Sequence, residues 1–369
     1  IHTSSFLFLV IWVVFNFVGR AVIAAEVIEL SNENRNKCLE LLRDGLRSDD
    51  FWPSIHAAEG LTLGGYGDEV IAFLEPQLLT EKDDQRRCGL ARELVRAGRR
   101  EYKQVMLDIL SSDDPHGHVH AAESLYKVVE IGDGSALRNA FAHSSNLTLQ
   151  VMAAAALGRC GNPEAMAFLR EQLATAEPNI ARIVGWVLGR IGSSEDIPGI
   201  QRRRENSEND LQRVFHGNSL AALGDKLGLE QLERNLGSDD SGFRTYCATF
   251  AGEARATQTK PKLIGLLDDL HLDARLRAAQ SLLVLAAPPP HERGEDVSNL
   301  VFVPTEENPR YTEGSVLELL DGSLLFAVTE FFGTGSDFAE AHIVARHSSA
   351  GGRTWGKQRI LQENTGGLN

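Results

Sequence analysis

Apolar and polar residues alternate with a helical period over most of this 369-residue chain and with a strand period near its end. Val70, Ile71, Leu74 and Leu78 fall on one face of a helix, and Met166, Leu169 and Leu173 recur at i, i+3 and i+7. Between such segments a second pattern recurs. His56-Ala57-Ala58-Glu59-Gly60-Leu61 matches His120-Ala121-Ala122-Glu123-Ser124-Leu125, and Ala154 to Gly158 matches Leu220 to Gly224. The anchor leucines are Leu61, Leu94, Leu125, Leu157, Leu188, Leu223 and Leu282, spaced 33, 31, 32, 31, 35 and 59 residues apart, with a weaker copy at residues 246–252 inside the last gap. A period near 31 accommodates two short helices and two turns. A helix of this length cannot hide its apolar stripe alone, so neighbouring hairpins must stack into a solenoid.

Turn chemistry agrees with that reading. Gly98, Gly161 and Gly192 each follow an anchor leucine by four residues, where a helix ends and a left-handed residue is expected. Asn162-Pro163-Glu164 supplies a cap, a proline at the first helical position and an acid at the positive helix end, and Ser193 with Asp196 forms a capping-box pattern. These copies, over residues 49–287, resemble the HEAT family in its short PBS-lyase-like form. The resemblance implies a binding scaffold with a protein partner on the solenoid surface; a few such proteins assist cofactor attachment, but no residue here points to a cofactor.

The helical pattern stops at Pro288-Pro289-Pro290. Strands are predicted at residues 315–320, 323–329, 341–347 and 358–362, with Asp321-Gly322 as a two-residue hairpin turn. Four short antiparallel strands fit one blade of a β-propeller. Ser348-Ser349-Ala350-Gly351-Gly352-Arg353-Thr354-Trp355 resembles the Asp box, S-x-D-x-G-x-T-W, of sialidases and related BNR-repeat propellers. Ser348, Gly352, Thr354 and Trp355 match, while Ala350 stands where the turn-holding aspartate belongs. The resemblance implies that Arg310 is the first of three substrate-carboxylate arginines, a role suited to its planar fork. It implies that Asp337 is the acid/base, and Glu330 is a further substrate-pocket candidate. Tyr311-Thr312 departs from the family's Arg-Ile-Pro. The plain alternatives are a linker charge for Arg310, a turn cap for Asp337 and a rim residue for Glu330. The family's tyrosine nucleophile, its activating glutamate and two further arginines would lie in later blades.

The predicted architecture is therefore mainly α: residues 1–25 a leader, 26–287 a HEAT-type α-solenoid, 288–308 a Pro-rich polar linker, and 309–369 the first blade of a truncated propeller. Residues 6–18 are apolar except for Asn16, too short for a comfortable span, and small residues follow to Ala25. That pattern reads as a signal peptide, with an uncleaved anchor as the alternative, and directs the protein to a secreted, periplasmic or cell-surface location. Ile1 opens the sequence where a translated chain has Met, and one blade alone closes it, so both ends read as parts of a longer chain.

Charge narrows the partners. The net charge of −14 disfavours nucleic acid and anionic membranes, leaving a membrane role only to an uncleaved leader. Arg202-Arg203-Arg204 is a basic exception, read as a helix end with an anion site as the alternative. Cys38, Cys88, Cys160 and Cys247 fall in different repeats and read as buried thiols. His116, His118 and His120 read as a polar inter-repeat loop rather than a metal site. Asn146-Leu147-Thr148 is a glycosylation sequon if the chain enters a eukaryotic secretory route, and Trp186 reads as core. Two functions stay open: a scaffold fused to a glycan-binding or glycan-hydrolysing sialidase-like propeller, and a non-catalytic interaction scaffold with a binding propeller.

Overall fold

The structure is a computed structural model that describes residues 27–287, 301–319, 323–336, 338–348, 352 and 354–365. It falls into two compact units that divide near residue 290.

The first unit holds sixteen α-helices among the described residues, in eight hairpins. Eight helices form an inner layer: α2 (Phe51–Leu63), α4 (Asp84–Arg96), α6 (His118–Val128), α8 (Leu147–Arg159), α10 (Pro178–Ile191), α12 (Asp210–Ala222), α14 (Ser241–Glu253) and α16 (Leu272–Leu285). Their partners form the outer layer: α1 (Asn32–Leu46), α3 (Gly67–Leu78), α5 (Lys103–Leu110), α7 (Ser135–His143), α9 (Pro163–Thr175), α11 (Ile197–Glu205), α13 (Lys226–Asn235) and α15 (Lys260–Leu266). Each inner helix packs on the next, and α16 packs back onto α2 and α1. The solenoid is therefore a closed ring, each hairpin turning about an eighth of a circle.

Local sequence explains why the hairpins form and how closely they stack. Asp83, Asn146, Asn209 and Asp240 cap α4, α8, α12 and α14, each side chain accepting a backbone N–H three residues on, at 2.9 to 3.2 Å. Asn162 caps α9 in the same way, from Ala165 at 3.0 Å. The Asn146 carboxamide of the sequon is thus part of a helix start. Gly98 and Gly161 take the left-handed conformation, with φ 108° and 88°. Gly192 does not: it is extended, at φ −81° and ψ −168°. Its lack of a side chain serves a different need, because a Cβ there would lie 2.6 Å from the Asp196 carboxylate. The Ser193 capping box is present but caps a single tight turn, residues 194–196, ahead of α11.

Small residues set the inner-layer spacing. Ala153, Ala154 and Ala155 are wholly buried in α8, and a Cβ on Gly189 of α10 would sit 2.8 Å from the Ser219 Cα of α12. One continuous apolar core, from Cys38 and Leu42 to Leu282 and Leu285, runs between the two layers. The seam uses the same device. A Cβ on Gly45 of α1 would meet Leu276 of α16 at 2.5 Å, and one on Gly60 of α2 would meet Gln280 at 3.3 Å. Cys38, Cys88 and Cys247 are buried thiols, whereas Cys160, at the end of α8, is exposed. It lies just past the last fully inward-facing turn.

The second unit is a four-stranded antiparallel sheet in the order β1 (Arg310–Glu318), β2 (Leu324–Phe331), β3 (Ala341–Ser348), β4 (Arg359–Gln362). The β1–β2 register breaks between Thr312 and Ser315, where Glu313 takes a positive φ of 53°. Phe302, Val328 and Val344 form its core, with Tyr311 and Phe326 against them. Phe302 lies in the segment the sequence assigns to a linker. Its burial on the sheet draws residues 301–308 into this unit.

Candidate functional site

The ring converges on its axis through long polar side chains of the inner helices. On α2, Glu59 accepts from Arg277 of α16 at 2.7 Å and lies 3.2 Å from Arg96 of α4. Arg96 and Arg92 both donate to Glu93, at 2.8 and 2.6 Å. Lys127 pairs with Glu123 at 2.8 Å one turn away on α6, and Arg190 of α10 reaches Glu253 of α14 at 2.7 Å. Aromatic rings sit among these charges. The Arg190 guanidinium lies 4.1 Å over Trp186 and 4.3 Å over Phe250, with the Lys127 ammonium 5.6 Å over Trp186. Trp186 also touches the Tyr126 ring at 5.6 Å, and Trp52 stacks on His120 at 5.6 Å. Trp186 is therefore half-buried: it packs against the apolar core and borders the axial charges.

Electrostatics follow from this crowding. Burial pushes the Glu59 carboxyl up, but Arg96, Arg277 and Lys127 outweigh it and hold the group well below the usual carboxylate range. Burial also opposes ionisation of Glu123, yet Lys127 and Arg92 bring its pKa down to about 2. Tyr126 is fully buried, and burial takes its phenol up to about 12; its hydroxyl has no hydrogen-bond partner among the described residues. The axis thus joins helices that are distant in sequence through charges that neutralise one another.

The loop histidines diverge. His116 lies 2.9 Å from Asp83, His118 lies 3.0 Å from the Ser112 carbonyl, and His120 takes the Trp52 ring. The arginine run forms the last turn of α11. Arg203 donates to the Leu173 and Ala176 carbonyls that end α9, and Arg204 donates to Gln231 at 2.5 Å.

In the sheet, cross-strand register places the sequence-derived candidates. Arg310 pairs with Phe331 and Tyr311 with Glu330. Successive side chains along a strand point to opposite faces, so Arg310 and Glu330 do not meet in one pocket on either face. Glu330 lies on the core face, buried, accepting from the Tyr311 hydroxyl at 2.6 Å and the Gln358 amide at 2.9 Å. It is a buried acceptor rather than a rim residue. Burial, reinforced by Glu330, pushes the Tyr311 phenol up to about 12. Arg310 lies over the Phe331 ring at 4.9 Å and donates to the Gly335 carbonyl at 3.0 Å, which joins it to the loop that carries Asp337. Asp337 itself lies outside the described residues, as do Asp321-Gly322, Ala350 and the leader at residues 1–25.

The Asp-box-like turn closes without its aspartate. The Gly352 N–H donates to Ser348 Oγ at 2.9 Å, and the Trp355 indole donates to the Gly352 carbonyl at 3.0 Å. Gly352 has φ 81°, Ser348 is buried, Thr354 is exposed, and Trp355 reaches Phe326 at 5.8 Å.

The helical unit is an α-solenoid bent into a ring. Its repeats are of the HEAT type: a family profile described as HEAT repeats matches residues 134–215, which span α7 to the first half of α12. No curated protein matches the chain. Among solved structures, human deoxyhypusine hydroxylase in complex with glycerol is similar at 16% identity, over 69% of this chain and 97% of that one, with a TM-score of 0.35. The complex of CpcE and CpcF of phycocyanin lyase from Nostoc sp. PCC7120 is similar at 18% identity, over 70% of this chain and 96% of that one, with a TM-score of 0.35.

Proposed function

We propose that this protein is an interaction scaffold: an exported HEAT ring that engages a protein partner through its outer helices and rims, joined to a propeller-type sheet. The observation that carries this reading is the mutual pairing of the axial charges. Glu59, Arg96 and Arg277 satisfy one another, as do Arg190 and Glu253. Such groups hold a framework at fixed spacing, and a framework serves by what it presents outward. The test is affinity capture on the immobilised full chain from the organism's own extract, followed by reconstitution with the purified candidate. Saturable 1:1 binding that ignores nuclease treatment supports the scaffold; retention of nucleic acid alone, or no saturable partner, contradicts it.

A second reading makes the sheet the first blade of a sialidase-like propeller directed at an acidic glycan. What favours it is the Ser348–Gly352–Trp355 turn together with Arg310 at the Gly335 loop. Arg310 would then meet a sugar carboxylate, with Asp337 as acid/base. Binding of the chain to sialylated glycans on an array, weakened by Arg310→Ala, supports this reading; binding unchanged by that substitution counts against it.

A further inference from the structure

The outer surface carries one groove with an uncommitted cation. It lies between α9 and α11, holds about 530 Å³, and is lined by Leu173 and Ala174 on one side, Pro198 and Gly199 on the other, and Arg170 and Arg202 along its length. Small side chains create the space: a Cβ on Gly199 would already lie 3.0 Å from Leu173 Cδ2. The first turn of α11, with Pro198 and Gly199, forms one wall.

The groove's charges differ in how far they are engaged. Arg170 grips Asp196 at 2.7 and 3.3 Å. Arg203 is occupied by the carbonyls of Leu173 and Ala176. Glu195 stands exposed at the edge. Arg202 is exposed, and its guanidinium makes no hydrogen bond or ion pair among the described residues; only its backbone carbonyl is engaged, by Asn206. On a chain of net charge −14, a free guanidinium beside an apolar floor is a specific exception.

We infer that this groove binds an acidic, extended peptide segment of a protein partner. A carboxylate of the segment pairs with the Arg202 fork, and a neighbouring apolar side chain covers Leu173, Ala174 and Pro198. The acidic remainder of the surface repels such a segment elsewhere, which confines it to the groove. This inference rests on the scaffold reading and names the chemistry of its partner.

The test uses the full chain and a fluorescein-labelled peptide of alternating Glu and Leu, with anisotropy read at physiological salt. Saturable binding is expected. Arg202→Glu should weaken it by roughly tenfold or more, Gly199→Leu should block it by filling the floor, and Lys82→Glu, on a different loop, should leave it unchanged. The Arg202 side chain holds no other residue, and its carbonyl, which accepts from Asn206, is kept in the variant, so the variant keeps the fold. Absence of saturable binding, or binding indifferent to Arg202→Glu, overturns the inference. A captured protein partner whose affinity ignores Arg202→Glu would sink the groove and leave the scaffold standing. Arg202-dependent peptide binding with no capturable partner would do the reverse.

Discussion

Glu59 and Arg277 are 218 residues apart in sequence and 2.7 Å apart in the fold. They close the ring. His56 lies 2.8 Å from Asp273, Lys37 lies 2.6 Å from Asp268, and the Ile28 N–H donates to the Leu285 carbonyl at 3.0 Å along the same seam. An open solenoid needs polar caps on its two terminal repeats; here the first and last hairpins cap each other.

The seam pairs differ in depth, and substitution should separate them. Arg277→Met strips Glu59 of one partner in a partly buried site, leaving Arg96 to hold it. The expected loss is about 2 kcal/mol in chemical denaturation. Lys37→Met removes an exposed pair and should cost about 0.5 kcal/mol or less. Equal losses from the two would show that the axis contributes nothing beyond a surface ion pair.

Acid should weaken the ring in two stages. Burial, with help from Arg203 and Arg182, brings the pKa of His216 down to about 4. Between that value and the unfolded value near 6.5, the unfolded chain binds the proton and the folded chain does not, so stability falls as pH drops through this window. Glu123 acts lower. Its folded pKa of about 2 lies below an unfolded value near 4.3, so its contribution is present above about 4.3 and lost as pH falls toward 2. Unfolding free energy measured from pH 7 to pH 3 should decline across both windows, and His216→Leu should make the upper one shallower, leaving the share of His56 and His120, whose pKa values burial also lowers. A profile unchanged by that substitution would contradict the assignment.

Gly189→Ala places a methyl 2.8 Å from the Ser219 Cα, which is backbone and cannot swing aside. A loss of about 2 kcal/mol is expected from the forced separation of α10 and α12. Gly265→Ala, with open space around its site, should be tolerated. Thermal denaturation of the two variants makes the comparison.

The paired helices and their caps were readable in advance, because the repeat shows in the chain itself: Leu94, Leu157 and Leu188 recur with their glycines, and Asn162 caps as its motif requires. The last three strands were readable from alternation, and the Ser348–Trp355 motif from spacing, whereas β1 begins at Arg310, five residues before the alternation places it, because the break between Thr312 and Ser315 interrupts the pattern. Closure was not. It depends on a small rotation accumulated over eight hairpins, and on α1, whose residues carry no copy of the repeat motif. The opposed faces of Arg310 and Glu330 were missed for another reason. Each was assigned by its place relative to a strand, and face depends on the register between β1 and β2, which the break at Thr312 to Ser315 helps set. The free Arg202 was hidden in a run whose three members turned out to have three different environments.

In the sheet, Ser348→Ala removes the acceptor of the Gly352 N–H. A cost of about 1 kcal/mol to this unit is expected, read as a lower midpoint in the fluorescence of Trp355, with Trp52, Trp186 and the remaining tryptophan, Trp12, replaced by Phe. An unchanged midpoint would mean that the turn does not depend on the serine.

Ring closure is tested most directly by distance across the seam. With Cys160 changed to Ser, nitroxide labels at Lys37→Cys and Asp268→Cys can be read by dipolar electron paramagnetic resonance on the full chain. A closed ring gives a single short, narrow distance, as expected for positions whose native side chains meet at 2.6 Å. A long or broad distribution, as from an open superhelix with separated ends, would contradict it.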